Sequence, residues 1–128
     1  MKKIAFFDID GTLTSEIDGS IPVSAIEAIR AARANGNLMF INTGRCFQNV
    51  EERFRSIGFD GLVCGCGTNI YCEDREILHV SQTHDVTMEL LKAAQDADLD
   101  ILFESYKEVT FDRSRPLHDS EAIKLYRQ

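Results

Sequence analysis

Apolar and polar positions fall into short blocks along the chain, and the block pattern changes character halfway. Residues 3–8, Lys3-Ile4-Ala5-Phe6-Phe7-Asp8, form an unbroken apolar run closed by an acid, the pattern of a strand buried on both faces of a parallel sheet. Pro22 then precedes Ser24 and Glu27 at capping-box spacing, and Ala25, Ile26, Ala28, Ile29 and Ala32 make one apolar stripe ahead of Gly36. Those signals predict an amphipathic helix. Leu38-Met39-Phe40-Ile41 predicts a second buried strand, and Phe47, Val50, Phe54 and Ile57 share one face of a second predicted helix that Gly58 closes. Gly61-Leu62-Val63-Cys64 supplies a third strand. The order βαβαβ predicts a right-handed, doubly wound α/β layer, a partial Rossmann-like parallel sheet.

From Gly65 onward the pattern becomes that of an antiparallel hairpin. Asn69-Ile70-Tyr71-Cys72 and Glu76-Ile77-Leu78-His79-Val80 flank the polar turn Glu73-Asp74-Arg75. Val86, Leu90, Leu91, Ala94 and Ala97 predict a helix over 85–97, residues 100–104 and 108–111 read as strands, and Ser120 to Tyr126 opens a further helix. Residues 1–79 therefore belong to the sheet layer, and residues 80–128 begin a separate α+β unit.

Charge and composition narrow the function classes. The 128 residues carry a net charge of −7, with hydrophobic residues at 44% and charged residues at 27%. A nucleic-acid partner is excluded by that sign, because phosphate backbones are held by a surplus of Lys and Arg. No run approaches the ~18 apolar residues of a membrane span, and Asp8 interrupts the only apolar run near the N-terminus before it reaches signal-peptide length. The cysteines Cys46, Cys64, Cys66 and Cys72 form no spaced framework and are expected to be reduced thiols in a cytoplasmic protein. The acidity is uneven, net −1 over residues 1–64 and −6 over 65–128.

The chemistry-bearing stretch is Asp8-Ile9-Asp10-Gly11-Thr12-Leu13, where two carboxylates leave the end of a buried strand and Gly11 lets the chain turn. Ligands of open α/β sheets bind beyond the carboxyl ends of the strands, so both acids stand at the expected site mouth. Like charges so close repel unless a cation lies among them or one is protonated, and Mg²⁺ prefers such oxygen donors. A carboxylate is also a competent nucleophile toward phosphorus, and a neighbouring acid can carry the proton. The plain alternative is that both Asp side chains cap a turn. Thr43 lies beyond the second strand and before the second predicted helix, where a hydroxyl and free backbone N–H groups make a natural phosphate cradle. Arg45 has two readings, a contact to phosphate or a pair with a nearby acid.

Asp8-Ile9-Asp10-Gly11-Thr12 and Ile41-Asn42-Thr43-Gly44-Arg45 resemble motifs I and II of the haloacid dehalogenase-like hydrolases, most strongly the Cof-type, class IIB sugar-phosphate phosphatases. The likeness runs along nearly the whole chain and corresponds to the N-terminal portion of that family. It implies Asp8 as nucleophile, Asp10 as general acid/base, and Thr43, Gly44 and Arg45 as substrate-binding residues. It further implies Mg²⁺ held by the Asp8 carboxylate and the Asp10 main-chain carbonyl, and residues 80–128 as the start of a substrate-selecting cap. The substrate class implied is a small phosphorylated metabolite, in particular a sugar phosphate. Cys66-Gly67 stands where the family usually has Asn-Gly, and the family's motif III lysine and motif IV acidic loop have no counterpart in the 128 residues. The chain is accordingly expected to be a truncated, inactive form that self-associates through an exposed sheet edge.

A catalytically dead, short phosphate- or partner-binding protein is the rival reading. A phosphoacceptor receiver domain fits less well, because no acid ends the strands at Ile41 or Cys64. The spacing of Cys64, Cys66 and Cys72 is not that of a zinc site, and His79 and His84 read as surface or packing histidines. Glu89, Asp96 and Asp98 read as a solvated face.

Overall fold

The computed structural model describes residues 1–73, 75–106, 108–112, 114 and 118, and the chain divides into two compact units, Met1–Val80 and Ser81–Gln128. In the first, β1 (Ile4–Phe7), β2 (Leu38–Asn42), β3 (Gly61–Cys64), β4 (Asn69–Cys72) and β5 (Arg75–His79) form one sheet in sequence order. β1, β2 and β3 run parallel, with Phe7 paired to Ile41 and Ile41 to Leu62. The predicted hairpin is present, and β4 pairs antiparallel with β3, so the hairpin widens the same sheet instead of standing apart.

α1 (Val23–Ala34) and α2 (Glu52–Arg55) connect the parallel strands. Ile29 of α1 and Phe54 of α2 join Met39, Ile41 and Cys64 in a single buried cluster, so both helices lie on one face of the sheet. A doubly wound arrangement, with helices on both faces, is therefore absent among the described residues. Successive crossovers that step in one direction along a sheet place their helices on the same side. Alternate β1 residues point the other way, and Ile4 and Phe6 are each 58% exposed on an edge strand. The fully buried Phe54, Ile9, Ile41 and Val50 anchor the core, each contributing about 1.5–3 kcal/mol of transfer free energy.

Two local expectations give way. α1 begins at Val23 behind Pro22, whose carbonyl accepts from the Ala25 and Ile26 amides, so Ser24 lies inside the first turn and makes no cap. Proline's fixed φ sets up the start two residues early. Ala28 is exposed, leaving Ala25, Ile26, Ile29 and Ala32 as the inward stripe. The helix predicted from Phe47 to Ile57 is a short turn at Phe47–Asn49 followed by the four-residue α2. Arginine side chains interrupt it. Arg45 Nη1 donates to the Asn49 carbonyl at 3.4 Å and Arg55 Nε to the Val50 carbonyl at 2.8 Å, so these oxygens take side-chain donors in place of helical amides.

Gly61 is required by close approach. A Cβ there would meet the Tyr71 carbonyl oxygen and stand 2.6 Å from Phe40 Cε1. Arg33 and Asp60 staple the opposite end of the strands. Arg33 donates to Asp60 Oδ1 at 2.8 and 3.1 Å, and the Met39 amide donates to Oδ2 at 2.8 Å.

The second unit holds α3 (His84–Asp96), β6 (Leu102–Glu104) and β7 (Val109–Phe111), with β6 and β7 antiparallel. Thr83 caps α3 by accepting from the Val86 amide. The helix expected over Ser120 to Tyr126 lies outside the described residues.

Candidate active site

Asp8 follows β1 and Thr43 follows β2, and since these strands are adjacent and parallel, both residues leave the same end of the sheet. After Asp8 the backbone makes a wide turn, with Leu13 N donating to the Asp8 carbonyl at 3.2 Å and Thr14 N to the Ile9 carbonyl at 3.1 Å. Gly11 sits in that turn at φ +71°, a conformation that suits glycine. Ile9 and Leu13 are buried beneath it, which pushes Asp8 and Asp10 outward into solvent.

The two acids differ in their surroundings. Among the described residues the Asp8 carboxylate accepts no hydrogen bond. The Asp10 carboxylate is clasped by Arg45, whose Nη2 lies 2.6 Å from Oδ1 and whose Nε lies 3.0 Å from Oδ2. The Arg45 guanidinium holds the Asp10 carboxyl below the usual carboxylate range. Of the two sequence readings of Arg45, the pair with an acid is the one this geometry displays. Its remaining Nη1 donates to Glu51 Oε1 at 3.2 Å and to the Asn49 carbonyl.

Thr43 is 4% exposed, and its amide is spent on the Val63 carbonyl at 2.9 Å, so it is not one of the free N–H groups expected of a cradle. Its hydroxyl oxygen accepts from the Arg45 amide at 3.2 Å, which leaves the hydroxyl proton to donate elsewhere. Gly44, between them, is exposed. No helix starts directly after Thr43, so a helix dipole does not reinforce the cradle.

The turn Gly65–Gly67 closes against this loop. Gly65 N donates to the Arg45 carbonyl at 2.9 Å, and Cys66 N to the Thr43 carbonyl at 3.3 Å. Cys66 is exposed, adopts φ +54°, and its Sγ lies 3.5 Å from where a Gly44 Cβ would stand. Left-handed backbone is tolerated better by Asn than by Cys.

Sequence patterns did not single out Glu51, Arg53 or Phe54 as neighbours of the site. The signal was the acid–x–arginine spacing at 51 and 53, hidden because the segment read as one continuous amphipathic helix. Arg53 Nε pairs with Glu51 Oε2 at 2.7 Å, and hydrogen bonds from Arg53 and Arg45 hold the Glu51 carboxyl below its usual range.

No three His, Cys, Asp or Glu side chains converge as a metal site among the described residues. Cys64, Cys66 and Cys72 are free thiols, and burial pushes the Cys64 thiol up to about 11. His79 Nδ1 lies 3.1 Å from Asn69 Nδ2, within the hairpin and away from Asp8. No described helix is long and apolar enough to cross a membrane.

The sequence model of one protein family, described as haloacid dehalogenase-like hydrolase, matches residues 5–127. No curated protein matches the chain. Among solved structures, a subclass IIB sugar phosphatase of the haloalkanoate enzyme superfamily is 29% identical, with a TM-score of 0.71 over 87% of this chain and 44% of its own. A hypothetical protein from Geobacillus kaustophilus is 27% identical, with a TM-score of 0.78 over 91% of this chain and 45% of its own. A phosphatase of the same superfamily from Bacteroides thetaiotaomicron shares the fold at a TM-score of 0.79 and 24% identity, over 91% of this chain and 43% of its own. The chain thus spans less than half the length of these structures.

Proposed function

Because this chain belongs to the haloacid dehalogenase-like hydrolases, we propose that it carries the nucleophile half of a phosphoric monoester hydrolase acting on small phosphorylated metabolites, sugar phosphates first among them. The observation that carries this reading is the contrast between the two acids, an exposed Asp8 carboxylate with no hydrogen-bond partner among the described residues beside an Asp10 carboxylate held at both oxygens. A nucleophile has to be open to its target, whereas a proton carrier has to be fixed in place.

In the proposed reaction an Asp8 oxygen attacks phosphorus, the bond from phosphorus to the sugar oxygen breaks, and Asp10, ionised at rest beside Arg45, takes up a proton from solvent and delivers it to that leaving oxygen. Water then attacks the aspartyl-phosphate while Asp10 takes back a proton, releasing orthophosphate and restoring the Asp8 carboxylate. The Thr43 hydroxyl and the Gly44 amide donate to the phosphoryl oxygens. The donor set suits Mg²⁺, since an unpartnered carboxylate at Asp8 and a main-chain carbonyl at Asp10 are the hard oxygens it selects. When bound, the ion supplies positive charge that offsets the charge on the transferring group. Residues 80–128 are the start of a substrate-selecting cap domain in the same reading, and the apolar Ile4 and Phe6 on the β1 edge suit self-association.

The test is phosphate release from a panel of sugar phosphates, with and without Mg²⁺. In a longer protein that carries this chain together with the family's remaining motifs, turnover that needs Mg²⁺ and is lost in Asp8→Asn is the expected result, since an amide is a very poor nucleophile for this step, whereas the 128 residues alone are expected to release no phosphate. Equal turnover by Asp8→Asn would remove Asp8 from the role. Binding of orthophosphate with no turnover by the wild type would favour the phosphate-binding alternative.

A further inference from the structure

Asp10, Arg45, Glu51 and Arg53 form one continuous series of ion pairs, and its central member belongs to neither motif. Glu51 Oε1 accepts from Arg45 Nη1 and from Arg53 Nη2, both at 3.2 Å, while Oε2 pairs with Arg53 Nε at 2.7 Å. Both guanidiniums stand over the ring of the fully buried Phe54, Arg45 at 5.5 Å and Arg53 at 4.7 Å from its centroid. Two cations sharing one aromatic floor repel each other unless an anion bridges them, and Glu51 is that bridge.

The far ends of the series reach different segments. On one side Arg45 holds the Asp10 carboxylate. On the other, Arg53 Nη1 donates to the Gly19 carbonyl at 2.9 Å, in a loop closed on itself by Ser15 N to the Ser20 carbonyl at 2.8 Å and Gly19 N to the Ser15 carbonyl at 2.9 Å. That loop leads out of the Asp10 turn, and a Cβ on Gly11 would stand 3.3 Å from Glu16 Oε1.

We propose that Glu51 is a positioning residue that couples the 15–20 loop to the Asp10 carboxylate, steering Arg45 onto Asp10 and Arg53 onto the Gly19 carbonyl. Its catalytic consequence rests on the role proposed above for Asp10, whereas the coupling itself does not. Removing the Glu51 charge frees each arginine to leave its target, so the loop and the acid loosen together.

Amide and guanidinium hydrogen exchange followed by NMR on the 128-residue chain tests the coupling. In Glu51→Gln the Ser15 and Gly19 amides and the Arg45 Nε–H are expected to exchange about tenfold faster, while amides of β1, β2 and β3 keep their protection. In Arg53→Met the loop amides are expected to speed up in the same way while the Arg45 Nε–H stays protected, and this variant decides the matter if Glu51→Gln does not fold. Unchanged loop exchange in either folded variant, or an equal loss of protection across the sheet, would overturn the coupling. Turnover separates it from the functional reading. In a longer protein that carries this chain together with the family's remaining motifs, assayed with Mg²⁺ and p-nitrophenyl phosphate, Glu51→Gln should lower kcat about tenfold at unchanged KM, as expected when a reacting group is slightly misplaced. An unchanged kcat would overturn the link to Asp10, and no turnover by the wild type would count against the phosphatase reading while the exchange result still stands.

Discussion

One guanidinium, that of Arg45, holds both carboxylate oxygens of Asp10, at 2.6 and 3.0 Å. The fork that makes this possible is specific to arginine, because a lysine ammonium offers a single point of charge and cannot span the two oxygens. Arg45→Met is therefore expected to raise the Asp10 pKa back toward the ordinary carboxylate range, and Arg45→Lys to restore only part of the shift. The direction follows from Arg45 favouring the ionised form in the folded chain. Carboxyl ¹³C shifts of Asp10 followed against pH check it, and an unmoved titration in Arg45→Met would discard the clasp as the cause.

Asp60 offers a stability test remote from the acids. Burial pushes its carboxyl up, but the Arg33 hydrogen bonds and the Met39 amide together outweigh burial and leave it below the usual range. The stabilisation is then fully present above the unfolded value of ~3.9 and is lost as pH falls through the lower folded value. Asp60→Asn should cost about 1–3 kcal/mol at neutral pH, from weakened charge-assisted bonds. Urea midpoints of the two proteins should approach one another below about pH 4. A gap independent of pH would assign the cost to something other than the carboxylate charge.

Gly61→Ala should be among the most damaging substitutions a single methyl can make here. The added carbon would strike the Tyr71 carbonyl oxygen and come within 2.6 Å of Phe40 Cε1, at a point where β2, β3 and β4 are all paired. Overpacking of this kind costs about 1–3 kcal/mol or more. Denaturant unfolding measures it directly, and a change below about 0.5 kcal/mol would mean the strands part more easily than their register implies.

The thiols should react in a fixed order. Cys66 is exposed, whereas Cys64 is fully buried with its thiol pushed up to about 11. Only the thiolate attacks an alkylating agent, so brief iodoacetamide treatment of the native chain should label Cys66 first and leave Cys64 unlabelled. Peptide mass spectrometry reads the order, and early labelling of Cys64 would contradict its burial.

How much of this was legible in the sequence depended on the kind of signal. The run ending at Ile41 was readable because a buried parallel strand leaves no polar position to confuse the pattern, and the run ending at Phe7 reads the same way although β1 is an edge strand with Ile4 and Phe6 exposed; their adjacency brings Asp8 and Thr43 to one end of the sheet. The spacing of Phe47, Val50, Phe54 and Ile57 misled, because a turn followed by a short helix can bury the same four side chains. What broke that helix is invisible to periodicity although it is close in sequence, since the Asn49 and Val50 carbonyls accept from the side chains of Arg45 and Arg55. The Thr43 amide was misread for a related reason. Its partner, Val63, is twenty residues further along and becomes visible only once β2 and β3 are side by side.

The brevity of α2 also sets a timetable for folding. Four residues cannot nucleate a helix in water, where the first hydrogen-bonded turn already costs more than it returns. The helix, and with it Glu51, Arg53 and the floor of Phe54, can form only after β2 has delivered Arg45 and the chain has turned back toward β3. The charged side of the site is thus expected to assemble on the native side of the folding barrier. Substitutions at Arg45, Glu51 or Arg53 should steepen or raise the unfolding limb of a chevron plot and leave the folding limb where it is.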